Sequence, residues 1–209
     1  MIAELGHFAL ILALGLALLQ STVPFFGAMR NDQRLMALAP PAAVTGFLLV
    51  GLSFAALVHA YLVSDFSLVN VVENSNSALP VIYKITGVWG NHEGSMLLWI
   101  LVLSLCAAVV AAFGRNLPEK LKALVLSVQG WISAAFLLFI LFTSNPFARV
   151  GSPPINGVDL NPTLQDIGLA IHPPLLYIGY VGCSIAFSFA IAALIEGKID
   201  AAWARWARP

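Results

Sequence analysis

Apolar residues gather into five runs at about 5–26, 42–64, 95–113, 122–143 and 173–195. Each is close to the roughly 20 residues needed to cross a hydrocarbon layer about 30 Å thick. The polar turn from Met29 to Arg34 separates the first two, and Pro40-Pro41 opens the second, because a helix-initial proline gives up no needed N–H bond. The turn from Gly114 to Leu121 joins the third to the fourth. Longer polar stretches, 65–94 and 144–172, precede the third and fifth runs, and Pro173-Pro174 opens the fifth. In lipid every backbone amide must be satisfied within its own segment, so runs of this length are helices and not strands. The pattern predicts an all-α integral membrane protein of five transmembrane helices, a single membrane domain over 1–209 with two elaborate loops on one side.

Composition agrees: 60% of the 209 residues are apolar and 10% charged, against roughly a quarter charged in a soluble domain. Ten basic and ten acidic side chains cancel, which gives no reason to expect nucleic acid as a partner. Where the charges sit is more informative, because positive charge is retained on the cytoplasmic side of a membrane. Arg30, Arg34, Arg115, Lys120, Lys122, Lys198, Arg205 and Arg208 fall on one side, and Lys84 and Arg149 on the other. The N-terminus and both long loops are therefore expected in the periplasm and the C-terminus in the cytoplasm, as in a multi-pass protein of the bacterial inner membrane. Met1 to Gln20 carries Glu4, no basic residue and no small-residue cleavage site, so it reads as a retained helix rather than a signal peptide. Cys106 and Cys183 lie in apolar runs outside any Cys-x-x-Cys spacing and are expected to pack as buried small hydrophobes. Gly182, Ala186 and Ala190 recur every four residues, a spacing that permits close helix approach. The segment Trp203 to Pro209 reads as an interfacial anchor, with further helices expected to follow.

Four histidines, His7, His59, His92 and His172, all fall at the periplasmic face of this topology. Imidazole suits haem or metal ligation. His7 and His59 lie within apolar stretches and read as structural. His92 sits in Trp89-Gly-Asn-His-Glu-Gly-Ser95, where glycines permit close backbone approach and Glu93 brings an acid near the hydrocarbon boundary. This stretch reads either as a ligand or docking edge or as a helix cap with an interfacial tryptophan. His172 precedes two prolines, which bias it to an extended conformation and make it the expected last non-helical residue at the mouth of the fifth helix. No phosphate-binding loop, zinc-ligand cluster or nucleophile elbow is present, which argues against an ATPase, a zinc protease or a hydrolase. The middles of the five runs contain no Asp, Glu, Lys or Arg, which argues against a proton or ion pump.

The stretch from Trp89 to Trp99, the pentapeptide Thr143-Ser-Asn-Pro-Phe147 and the long segment from Leu160 to Gly182 resemble three signatures of the CcmF family, the haem lyase component of bacterial and plant mitochondrial cytochrome c maturation. The resemblance covers essentially the whole chain but only about the N-terminal third of a family member. It implies haem as cofactor, taken from a periplasmic haem chaperone of the CcmE type. It also implies delivery to apocytochrome c, which arrives with a thiol-reducing chaperone of the CcmH type. In that scheme His172 matches the first of two periplasmic axial haem ligands. The second ligand, the tryptophan-rich segment between them and the histidines of a separate haem b would lie beyond Pro209, in the C-terminal remainder of the protein. Trp89, His92, Glu93 and Trp99 are then expected to form a structural and docking edge rather than to ligate iron. No residue is a candidate nucleophile, and the reacting atoms of thiol addition to the haem vinyl groups belong to cofactor and substrate. The chain is expected to be a haem lyase subunit, incomplete for catalysis alone. The rival expectation is a non-catalytic membrane scaffold whose haem site another polypeptide supplies.

Overall fold

The computed structural model describes residues 1–197, and Lys198, Arg205, Arg208 and the anchor expected from Trp203 onward lie outside the described residues. The described residues are helical, with no strand among them. Five helical segments are long and apolar enough to cross a membrane, at Ile2–Arg30, Gln33–Leu62, His92–Phe113, Glu119–Thr143 and Ile167–Glu196.

Helix α1 (Ile2–Arg30) carries a face of small residues, with Ala3, Gly6, Ala13, Ala17, Ser21 and Ala28 all buried. Small side chains let helix backbones approach closely where lipid offers no hydrophobic drive for association. Against this face pack α3 (Ala39–Leu62) and α7 (Glu119–Thr143). The approach is tight enough that a Cβ on Gly130 would lie 2.8 Å from the backbone nitrogen of Ser21. α6 (His92–Phe113) closes the bundle against α3 and α7, and α8 (Ile167–Glu196) lies outermost, on α6 and α7. α1 runs through Pro24 and ends where Asn31 takes a left-handed conformation at φ 53°. A short α2 (Gln33–Met36), capped by Asp32, then turns the chain into α3.

The interior consists of Leu10, Leu57, Leu97, Ile100, Leu137 and Ile140 around a fully buried Tyr61. The long loops are folded. α4 (Val69–Asn74) and α5 (Val81–Gly87) occupy the first, and a 3-10 turn (Pro162–Leu164) stands in the second. The loops bind each other: the Val69 amide donates to Ala148 at 2.9 Å, the Val150 amide to Ser67 at 3.0 Å, and the Val158 amide to Val72 at 2.6 Å. Leu68, Leu79 and Leu160 are buried beneath this layer. The loops thus form one cap over the bundle end, called here the loop end; the opposite end, with the short turns, is the basic end.

Three expectations need correction. His172 is not outside the fifth helix but six residues into it, because α8 starts at Ile167, where Asp166 accepts hydrogen bonds from the Gly168 and Leu169 amides at 2.9 and 3.1 Å. Cys183 is exposed on the outer face of α8, while Cys106 is partly buried. The close approach expected at Gly182 is not seen among the described residues, where a Cβ at Gly182 would meet open space and Ala186 is exposed.

Candidate functional site

The loop end holds the residues singled out by the sequence, and the turn into α6 organises them. Asn91 caps α6 by accepting from the Gly94 amide at 2.8 Å. Its own side-chain amide donates to the carbonyls of Gly87 and Val88 at 3.0 and 3.2 Å. A Cβ on Gly94 would stand 1.6 Å from the Val88 carbonyl oxygen, so this position accepts only glycine. Asn91 also donates to the Tyr61 hydroxyl at 3.0 Å, and that hydroxyl donates to Asn70 Oδ1 at 2.7 Å. Glu93 enters the same network by accepting from Asn70 Nδ2 at 3.4 Å. Asn70 and Tyr61, both buried, thereby satisfy one another.

His92 is the first residue of α6, and its Nε2 lies 2.9 Å from the Ser144 hydroxyl. The neighbouring Asn145 donates to His7 Nε2 at 3.2 Å, and the His7 ring stacks on Phe147 with centroids 6.2 Å apart. The Thr143 to Phe147 stretch is therefore a brace that fastens the heads of α1 and α6 to the exit of α7. His7 and His92 are both held by its polar side chains.

Trp89 does something the sequence did not disclose. Pro174 has no N–H, so the Ala170 carbonyl one helical turn earlier has no donor from α8 itself. The Trp89 indole Nε1 supplies that bond, at 2.8 Å. Ala170 is buried, so the alternative would be a carbonyl stranded away from water. This tertiary bond lets α8 run through Pro173 and Pro174 and fixes its first turns against the α6 turn, with the Trp89 ring stacked on Phe54 at 6.4 Å. His172 projects from this braced segment with its side chain exposed and no hydrogen-bond partner among the described residues.

Trp99 stands two turns deeper on α6. Its ring stacks on Phe136 at 5.5 Å and meets Tyr177 and Tyr180 of α8 at 5.4 and 5.9 Å. The Tyr177 hydroxyl bonds the hydroxyl of Ser95. Trp89, His92, Glu93 and Trp99 thus share one stretch of chain but serve different neighbours: α8, α7, α4 and the α7–α8 seam. Sequence reasoning missed Asp166, Asn70, Tyr61 and Tyr177. An Asp one residue before an apolar run is an N-cap signal that would have found the first. Among the described residues no group of three or more His, Cys, Asp and Glu could hold a bare metal ion. What His172 offers is one imidazole beside the exposed apolar side chains of Ile171, Leu175 and Leu176.

A sequence profile of the family described as cytochrome C assembly protein matches residues 89–208, which takes in the α6 turn, the brace and α8. The chain belongs to the cytochrome C assembly protein family. It is 66% identical over 209 residues to the cytochrome c-type biogenesis protein CycK of Bradyrhizobium diazoefficiens, covering 100% of this chain and 32% of that protein. It is 50% identical over 210 residues to the cytochrome c-type biogenesis protein CcmF of Escherichia coli K12, again covering 100% of this chain and 32% of that one. A solved structure titled cytochrome c heme lyase CcmF superposes with a TM-score of 0.85 at 29% identity, over 99% of this chain and 33% of that one. The chain therefore spans about a third of the length of the relatives it matches. Together with five membrane-length helices, these relatives make it a multi-pass protein of the bacterial inner membrane.

Proposed function

We propose that the chain is the N-terminal membrane portion of a cytochrome c haem lyase, and that it presents one axial ligand, His172, to haem at the periplasmic face. The observation that carries this reading is the bracing of α8 by Trp89 through the Ala170 carbonyl. It holds an exposed, unpartnered imidazole at the loop end of an apolar helix. The donor chemistry fits haem: the macrocycle supplies its own equatorial nitrogens, so a single imidazole is a sufficient protein contribution on one side. Ile171, Leu175 and Leu176 give apolar surface on the same part of α8 for an amphiphile lying partly in lipid.

Bound haem supplies vinyl groups to which the two thiols of an apocytochrome Cys-x-x-Cys-His segment add. The work of this chain's residues is positional. Asp166 and Trp89 set where α8 begins and how it leans, and His172 follows from them. A second ligand would come from the part of the relatives' length that this chain does not span, for which the face of α8 with Gly179 and Gly182 leaves room. A haem chaperone of the CcmE type and apocytochrome c with a CcmH-type chaperone are the partners this role requires. The relatives named above do not favour the scaffold reading.

The orientation is part of the proposal. Both basic residues at the loop end have local work: Lys84 is buried and donates to the Ser64 hydroxyl at 2.8 Å and the Ser77 carbonyl at 3.3 Å, while Arg149 binds Glu4 and Ser67. They are accounted for as internal fasteners of the cap, so they do not weigh against a periplasmic loop end. In the assembled lyase, His172→Ala should abolish holocytochrome c formation, measured by haem-stained gel at equal protein level. Unimpaired maturation would remove His172 from the mechanism.

A further inference from the structure

At the basic end, a cavity of about 360 Å³ opens between the α2–α3 junction and the turn from α6 to α7, lined by Gln33, Met36, Pro40, Arg115, Glu119 and Lys122. Three features give it a chemical identity. The first is uncompensated positive charge. Among the described residues, the ion pairs join Glu4 to the Met1 amine and to Arg149, at the opposite end of the bundle. No carboxylate of the described residues lies within 4.0 Å of Arg115 or Lys122. The Lys122 ammonium has one protein acceptor, the Ala111 carbonyl at 2.8 Å, and keeps further donors free. Among the described residues Glu119 is the single acid in the lining, and it is exposed.

The second feature is the start of α7, a helix of 25 residues whose N-cap, Pro118, provides no side-chain acceptor. The first N–H groups of such a helix lack intrahelical partners, and their partial positive charge adds to that of Arg115 and Lys122. The third feature is depth. The cavity lies at the ends of the membrane spans Gln33–Leu62 and Glu119–Thr143. Leu38 and Phe113 adjoin the lining residues Ala37 and Gly114 in sequence, and both are exposed apolar side chains, Phe113 at 81%. A soluble anion would use the charged lining and leave these apolar side chains idle, whereas a molecule with a phosphate head and an acyl tail uses both.

We propose that this cavity binds the phosphate of an anionic phospholipid, with Arg115 and Lys122 donating to its oxygens and Leu38 and Phe113 meeting its acyl chains. Charge-assisted bonds from a guanidinium and an ammonium suit phosphate oxygens. The opposed sign of Glu119 makes the site testable in both directions. The protein, purified in neutral detergent, is titrated with phosphatidylglycerol or phosphatidylcholine, and retained lipid is counted by native mass spectrometry. Phosphatidylglycerol should be retained preferentially. Arg115→Gln should weaken its retention about fivefold, the factor expected for one basic residue near an anionic headgroup, and Glu119→Gln should strengthen it. Arg30→Gln, at the same end but outside the lining, should leave it within about twofold, the difference between a built site and a general basic surface. Arg115 is exposed and its side chain makes no hydrogen bond among the described residues, so its loss should leave the fold intact, which circular dichroism checks. Equal retention of both lipids, an unaffected Arg115→Gln variant, or displacement of phosphatidylglycerol by millimolar inorganic phosphate would overturn the proposal.

Discussion

The bond from the Trp89 indole to the Ala170 carbonyl can be isolated by a double-mutant cycle. Trp89→Phe keeps an aromatic ring against Phe54 but removes the indole N–H that donates to the Ala170 carbonyl in place of the missing Pro174 N–H. Leaving a buried carbonyl unpaired costs about 1–3 kcal/mol in water-soluble proteins, while hydrogen bonds in membrane proteins average nearer 0.6 kcal/mol. Ala170 is 4% exposed, so little water can substitute, and the expected loss is about 1–2 kcal/mol. Pro174→Ala restores an N–H one turn below the same carbonyl, so in that background Trp89→Phe should cost under about 0.5 kcal/mol. Unfolding of the four variants in detergent, followed by circular dichroism, gives the coupling energy. Local hydrogen exchange at residues 167–174 shows whether the loss is confined to the first turns of α8. If Trp89→Phe costs the same with and without Pro174, the indole is not standing in for the proline, and the account of how α8 begins is wrong.

Single cysteines at Ala78 and Ile155, both exposed in the cap, placed in a background lacking Cys106 and Cys183, should react with an impermeant thiol reagent in intact spheroplasts. Labelling of both only after lysis would reverse the proposed orientation. Gly94→Ala should cost more than about 3 kcal/mol or prevent accumulation, because the added methyl cannot coexist with the Val88 carbonyl and backbone on both sides must move; a variant unfolding within about 0.5 kcal/mol of the parent would contradict the α6 turn. His92→Ala should lose about 1 kcal/mol with the Ser144 bond and lower maturation yield while leaving the axial-ligand spectrum of bound haem unchanged. A spectrum missing one ligand would move His92 into the iron site.

Five spans were legible because the bilayer fixes segment length and excludes polar side chains, so periodicity hardly matters to the argument. Ends were harder to read. Pro40-Pro41 opened a span close to where expected, since α3 begins at Ala39 and the prolines fall in its first turn. The same dipeptide logic failed at Pro173-Pro174, because the donor that tolerates them there comes from Trp89, 81 residues before Ala170 in sequence. Tertiary partners of that kind leave no local trace. The cap of paired loops was equally hidden: the antiparallel bridge of Leu68 with Arg149 joins two polar stretches, neither of which has strand-like alternation. Small-residue spacing on α8 spoke of helix contact, yet a Cβ added at Gly182 would meet open space among the described residues.

At the site, residue types were readable and their neighbours were not. His172 was singled out by its flanking sequence, but its exposure and the fixed lean of its helix come from Asp166 and Trp89. The most direct measurement is therefore spectroscopic: the absorption and electron paramagnetic resonance spectra of haem in the assembled lyase, with and without His172→Ala, and with imidazole added to the variant. The proposed role requires the variant to lose one axial ligand, with imidazole restoring the parent spectrum in part. An unchanged six-coordinate spectrum in the alanine variant would contradict it.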